Sequence, residues 1–126
     1  RHKFHALVVS YEAGVGRVLS LMSCNGDYPE GALELPLAQP LPLVDGPVEL
    51  CVDVDHAEQQ FYYRQGGDWI AAGPPRDASL ISDEAGRGEH ASFTGAFVGM
   101  LAFDTTGQGR SARFERFAYH ASNKGE

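Results

Sequence analysis

The sequence predicts an all-β protein, an antiparallel β-sandwich. Residues alternate between apolar and polar through most of the chain, and good helix candidates are absent. About seven short apolar segments are separated by glycine, proline and asparagine turn signals, a pattern that favours two packed sheets. Apolar residues make up 43% of the 126 and charged residues 21%, the balance of a globular chain with enough material for a core.

The first strand is read at Phe4-His-Ala-Leu-Val-Val-Ser10 and the second at Arg17-Val-Leu-Ser-Leu-Met-Ser23, with Ala13-Gly-Val-Gly16 as their hairpin connection. Asn25-Gly26-Asp27 breaks the second strand. Pro29 to Pro47 holds five prolines, and proline cannot donate to a ladder, so this segment should be an edge or a crossing loop. In Val48-Glu-Leu-Cys-Val-Asp-Val-Asp55, the residues Val48, Leu50, Val52 and Val54 share one face; Glu49, Cys51, Asp53 and Asp55 share the other. Glu58–Arg64, a turn at Gln65-Gly66-Gly67-Asp68 and Trp69–Ala72 continue a meander, since Gly-Gly accepts the positive φ angles of a tight hairpin. Ala96–Asp104 is apolar on both faces and reads as a central strand. Thr105–Gly109 turns the chain, and Ala112–Tyr119 reads as the last strand, where the opposite parity of Phe114 and Phe117 points to a bulge or to a strand touching apolar material on both sides.

The formal net charge is −7. Such a surface repels phosphate backbones and anionic membranes, which argues against nucleic-acid partners, and no apolar run approaches the ~20 residues that span a bilayer. The opening RHKFHALVVSYE does not read as a signal peptide, because the apolar run Ala6 to Val9 is too short. A chain that begins at Arg1 is expected to start part-way into something longer. Cys24 and Cys51 are the two cysteines; they make no disulfide framework and are expected as free thiols in a reducing compartment, the cytoplasm.

Candidate chemistry is sparse. Asp53 and Asp55, roughly 7 Å apart on one strand face, match the spacing of an inverting glycosidase's carboxylates, yet they also read as the solvent face of an alternating strand, and no pocket is evident to raise one pKa. No catalytic residue is assigned. Asp77, Asp83, Glu84 and Glu89 flank a glycine-rich loop and supply hard oxygen ligands of the kind calcium takes; local turns explain Asp77 and Asp83 as well, and no cofactor or metal is assigned. His2, His5, His56, His90 and His120 are scattered without zinc-site spacing; His90 sits in the loop beside Phe93. The serines lack a nucleophile-elbow motif, and Gly86-Arg-Gly88 does not sit between a strand and a helix as a phosphate loop does. Phe61, Tyr62, Tyr63 and Trp69 lie together on the meander. Strand packing alone accounts for such aromatics; the other reading makes Tyr62 and Trp69 a stacking surface for sugar.

Several segments in order carry a resemblance: Asp77-Ala-Ser-Leu-Ile-Ser-Asp-Glu84, Phe93-Thr-Gly-Ala-Phe-Val-Gly99, Phe103-Asp104 and Ala112-Arg-Phe-Glu-Arg-Phe-Ala-Tyr119, preceded by Gly16–Leu21, Asn25-Gly26, Leu43–Leu50 and Gly66-Gly-Asp-Trp69. Over nearly its whole length the chain resembles the C-terminal β-sandwich of glycoside hydrolase family 43 β-xylosidases. The resemblance implies a concanavalin A-like jelly roll that does no chemistry itself. It implies a five-bladed catalytic propeller as partner, and xylo-oligosaccharide as the parent enzyme's substrate. It also implies a loop that lends an aromatic residue to the propeller's pocket, and by position that residue is Phe93, with His90 and Asp83 beside it in the pocket wall or domain interface. Covering the sandwich's own end is the alternative role for Phe93. The family's loop is usually short and glycine-rich, whereas Arg87, Glu89 and His90 interrupt it here. The family sandwich also has strands ahead of the segment equivalent to Phe4, so the expectation is an incomplete sandwich, inactive alone, that lacks N-terminal strands or a partner. A freestanding carbohydrate-binding module is the second reading.

Overall fold

The computed structural model describes residues 3–24, 32–37, 39–55, 57–77, 99–104 and 106–120. The chain divides into two units, Arg1–Gly95 and Ala96–Glu126.

In the first unit, β1 (Phe4–Glu12) and β2 (Gly16–Cys24) form one long antiparallel hairpin, in register from Phe4 opposite Cys24 to Glu12 opposite Gly16. The connection closes where Val15 N donates to Glu12 O at 3.0 Å, and Gly14 and Gly16 take φ of 82° and 106°, angles that side chains with a Cβ rarely accept. The other edge of β2 is shared by two short strands, β3 (Leu33–Glu34) beside Ser23 and Cys24, and β4 (Leu41–Pro42) beside Val18 and Leu19. The proline-rich segment thus supplies edges, as its composition requires. Leu43 N donates to Arg17 O, so alternate residues of β4 face β2, and the nitrogen of Pro42 points away from the ladder, where no donor is needed.

The second sheet repeats this plan. Strands β5 (Glu49–Asp55) and β6 (Glu58–Arg64) pair antiparallel from Glu49 opposite Arg64 to Asp55 opposite Glu58. The far edge of β6 is again divided, between β7 (Ile70–Ala71) beside Tyr62 and Tyr63 and β8 (Arg76–Asp77) beside Glu58 and Gln59. Between β7 and β8 the chain leaves the ladder. There Ala72 N still donates to Phe61 O, at 2.8 Å, and the side-chain amide of Gln60 donates to Gly73 O at 2.9 Å and Phe61 O at 3.0 Å, which keeps carbonyls satisfied where strand pairing stops.

The two sheets face each other across a small core. Leu19 and Leu21 of β2, Phe61 of β6 and Ala72 are buried together, flanked by Leu7, Val9, Leu37, Leu41, Leu43, Val52 and Tyr63. Strand parity explains the set: Leu7 lies opposite Leu21, Val9 opposite Leu19 and Val52 opposite Phe61, so each pair points inward from its sheet. Burial of each large side chain contributes roughly 1.5–3 kcal/mol. One polar link crosses the same gap: His5 Nδ1 donates to Gln59 Oε1 at 2.6 Å, with Gln59 itself buried. Arg17 and Gln65 hold the crossing between the sheets, Arg17 by donating to the carbonyls of Val44 and Gly46, Gln65 by bonding both N and O of Val44.

The second unit departs from expectation. Strands were predicted at Ala96–Asp104 and Ala112–Tyr119, yet none of the described residues of this unit is in a strand. Met100, Leu101, Phe103, Phe114, Phe117 and Tyr119 are exposed. Apolar composition makes a segment fit to be buried, but a strand exists only where a ladder partner takes its N–H and C=O groups. The predicted turn is present: Asp104 accepts from Thr106 N, Thr106 Oγ1 and Arg110 N at 2.6–2.9 Å, and Gly107 and Gly109 have positive φ.

Candidate functional site

The outer face of the second sheet gathers a row of polar residues with two aromatic ones. Since Leu50, Val52, Phe61 and Tyr63 have the inward parity, Glu49, Cys51, Asp53 and Asp55 of β5 and Glu58, Gln60, Tyr62 and Arg64 of β6 share the opposite face. Continuing the β6–β7 register, in which Tyr62 lies opposite Ala71 and Tyr63 opposite Ile70, puts Trp69 opposite Arg64 on that same face.

At this end of the face the side chains interlock. The Arg64 guanidinium lies over the Trp69 ring, 4.2 Å from its centroid, and also forms an ion pair with Glu49 across the β5–β6 ladder. Trp69 remains 41% exposed. The turn that brings the indole here has Gly66 and Gly67 at φ of 70° and 78°, the left-handed pair that a tight hairpin needs. Tyr62, half-buried, sits on the same face one cross-strand pair further along.

At the other end, Asp55, Ala57, Glu58, Pro75, Arg76 and Asp77 line an open cleft of about 500 Å³. Asp53 and Asp55 stand on the exposed face, as the alternating pattern implies. Partial burial, with the Asp53 carboxylate added, pushes the Cys51 thiol above its ordinary pKa, so this cysteine is a poor nucleophile. Neither Cys24 nor Cys51 forms a disulfide. Among the described residues no three His, Cys, Asp or Glu side chains come together as a metal site, and no helix is long and apolar enough to cross a membrane.

Residues 1–120 match the family described as the β-xylosidase C-terminal concanavalin A-like domain. The chain belongs to that family. Its two facing antiparallel sheets are part of the concanavalin A-like sandwich. Among curated relatives of this domain, the xylosidase/arabinosidase 43B of Humicola insolens is 38% identical over 122 residues, which cover 94% of this chain and 23% of that protein. A protein of Escherichia coli (strain K12), provisionally named as a β-xylosidase, is 34% identical over 116 residues, 88% of this chain and 20% of the relative. The xylan 1,3-β-xylosidase of a Vibrio species is 39% identical over 61 residues, 48% of this chain and 11% of the relative. The chain therefore spans less than a quarter of each of these proteins. No solved structure matches it significantly.

In this concanavalin A-like domain, the structure places Tyr62 and Trp69 on one face. Phe93, His90 and Asp83 lie outside the described residues, as do Glu84 and Glu89. Reasoning from sequence missed Arg64 and Glu49 as the partners of Trp69. The signal was available: counting back from the Gly66-Gly67 turn pairs position 64 with 69, and counting across the β5–β6 turn pairs 64 with 49.

Proposed function

We propose that the chain is a non-catalytic accessory sandwich of a xylan-degrading glycoside hydrolase, a β-xylosidase or α-L-arabinofuranosidase, which packs on a five-bladed catalytic propeller. The observation that carries this reading is the match of residues 1–120 to a domain named for its C-terminal place in β-xylosidases, in a chain that spans only 23% of a xylosidase/arabinosidase. The substrate of the assembled enzyme would be short xylan-derived chains bearing terminal xylosyl or arabinosyl groups. Phe93 would close the wall of the propeller's pocket, flanked by His90 and Asp83 at the pocket or the interface; the position of this aromatic residue after a polar, glycine-rich stretch of sequence supports that role.

The test is a two-component assay. The chain alone should turn over neither an aryl β-xyloside nor an aryl α-L-arabinofuranoside. Added to the catalytic part of a relative prepared without its own C-terminal domain, it should bind and raise hydrolysis, and Phe93→Ala should remove much of the gain. Turnover by the isolated chain, or indifference of the catalytic part to its presence, would overturn the proposal.

A second reading, a sugar-binding module, is favoured by one observation: Trp69 is exposed on the sheet face that also carries Tyr62. Retention of the chain on immobilised xylan, lost in a folded Trp69→Ala variant, is its test.

A further inference from the structure

We infer that the outer face of the second sheet carries a stacking platform for a neutral pyranose chain, in which Trp69 is the contact surface and Arg64 and Glu49 are positioning residues that hold it. This rests on the sugar-binding reading of that face and assigns its geometry and ligand class.

The indole has two faces, and the Arg64 guanidinium occupies one. With 41% of the residue still exposed, part of the indole remains open to a ligand. The guanidinium is in turn held by Glu49 from the neighbouring strand, so residues of β5 and β6 together restrain the ring that precedes β7. An exposed aromatic ring already restrained in this way loses less freedom when a ligand stacks on it than a mobile side chain would. The ring faces of sugars are apolar while their rims carry hydroxyls, so an immobilised indole is complementary to them in the way ligand sites combine apolar walls with a few polar groups.

The surroundings select the ligand class. Ala71, two residues along the edge from Trp69 and opposite Tyr62, carries only a methyl group. Around them β5 and β6 present Glu49, Asp53, Asp55 and Glu58 on this face, with Arg64 paired to Glu49 and Arg76 confined to the cleft at the far end. Carboxylates accept hydrogen bonds from hydroxyls and repel other carboxylates. The platform therefore fits unsubstituted xylan-type chains and rejects acidic ones.

Trp69 is the chain's one tryptophan, so its emission reports this site alone. Titration of the full chain with xylohexaose should change that emission saturably. Calorimetry should show Trp69→Phe still binding and Trp69→Ala weakened roughly tenfold or more. Arg64→Met keeps a long apolar stem but removes the cation, and should weaken binding about three- to fivefold with the thermal midpoint little changed; Arg64→Lys should recover part of the loss. Binding with unchanged emission would overturn the platform while leaving the sugar-binding reading intact. So would full affinity in Arg64→Met, or tighter binding of a glucuronic-acid-substituted chain. Calorimetric silence toward all of these sugars would sink the sugar-binding reading itself and leave the accessory-domain reading standing.

Discussion

Gly73 shows how much one backbone position decides. It sits where the chain leaves β7 and returns as β8, with φ of 76°, and a Cβ built there would lie 3.0 Å from Leu21 Cδ1 and 3.1 Å from Leu37 Cδ2. Two penalties therefore coincide in Gly73→Ala: a left-handed conformation for an alanine, and a methyl pushed into the core between the sheets. Together they should lower stability by about 2–4 kcal/mol. Gly66 is the control. Its φ is 70° and a Cβ there would meet nothing within 4 Å, so Gly66→Ala should cost only the backbone term, about 1–2 kcal/mol. Urea midpoints of the two variants separate the effects; equal losses would mean that Gly73 is there for conformation alone and that the packing argument is wrong.

At the scale of elements, local chemistry was legible and pairing at a distance was not. The two long hairpins could be read because their turns are written nearby, in Ala13-Gly-Val-Gly16 and in the switch from alternating strand to alternating strand around residue 56. The divided edges β3, β4, β7 and β8 are two-residue strands, too short to leave a period; the prolines of 29–47 announced one edge and the Gly66-Gly67 turn announced β7 within Trp69–Ala72, while nothing announced β8. The apolar segments 99–104 and 112–119 carry strand-like composition, but composition cannot name the partner that a ladder needs. The candidate site follows the same division. Tyr62 and Trp69 were visible as residue types, while the Glu49–Arg64–Trp69 stack depends on registers that bring together three strands.

The turn at Asp104 is a legible element with a testable consequence. Hydrogen bonds from the Thr106 hydroxyl, then from the backbone N–H groups of Arg110 and Thr106, hold the Asp104 carboxyl well below its ordinary 3.8, to about 2. A lowered folded-state pKa means that the turn is favoured while the carboxylate is ionised, and that this contribution is lost as pH falls from about 4 through about 2. Amide exchange at Thr106 and Arg110 should accelerate over that window beyond the intrinsic pH trend. In Asp104→Asn the extra acceleration should vanish, because nothing titrates there. If wild type and Asp104→Asn follow the same profile, the carboxylate is not what organises this turn.

For the whole molecule, apolar surface and net charge oppose each other. Met100, Leu101, Phe103, Phe114, Phe117 and Tyr119 are exposed in the second unit, and Leu50, Val54 and Ile70 are exposed in the first. Strands β1 and β5 each end their sheet, with one ladder edge unpaired among the described residues. Such surfaces favour association with another copy or with a larger partner. The net charge of −7 resists self-association, and that resistance is Coulombic, so salt weakens it: the screening length falls from about 30 Å at 0.01 M to about 8 Å at 0.15 M. Hydrophobic contact is not screened. The chain should therefore be closest to monomeric at low salt, and its mean mass by sedimentation equilibrium should rise with added sodium chloride. Replacing Leu101 and Phe117 by lysine should reduce that rise at high salt if apolar contact is its source, even though each lysine also brings the net charge nearer zero and so weakens the repulsion. The opposite salt dependence, with association strongest at low salt, would mean that copies meet through charged pairs, and the apolar surface would then have no part in how this domain finds a partner.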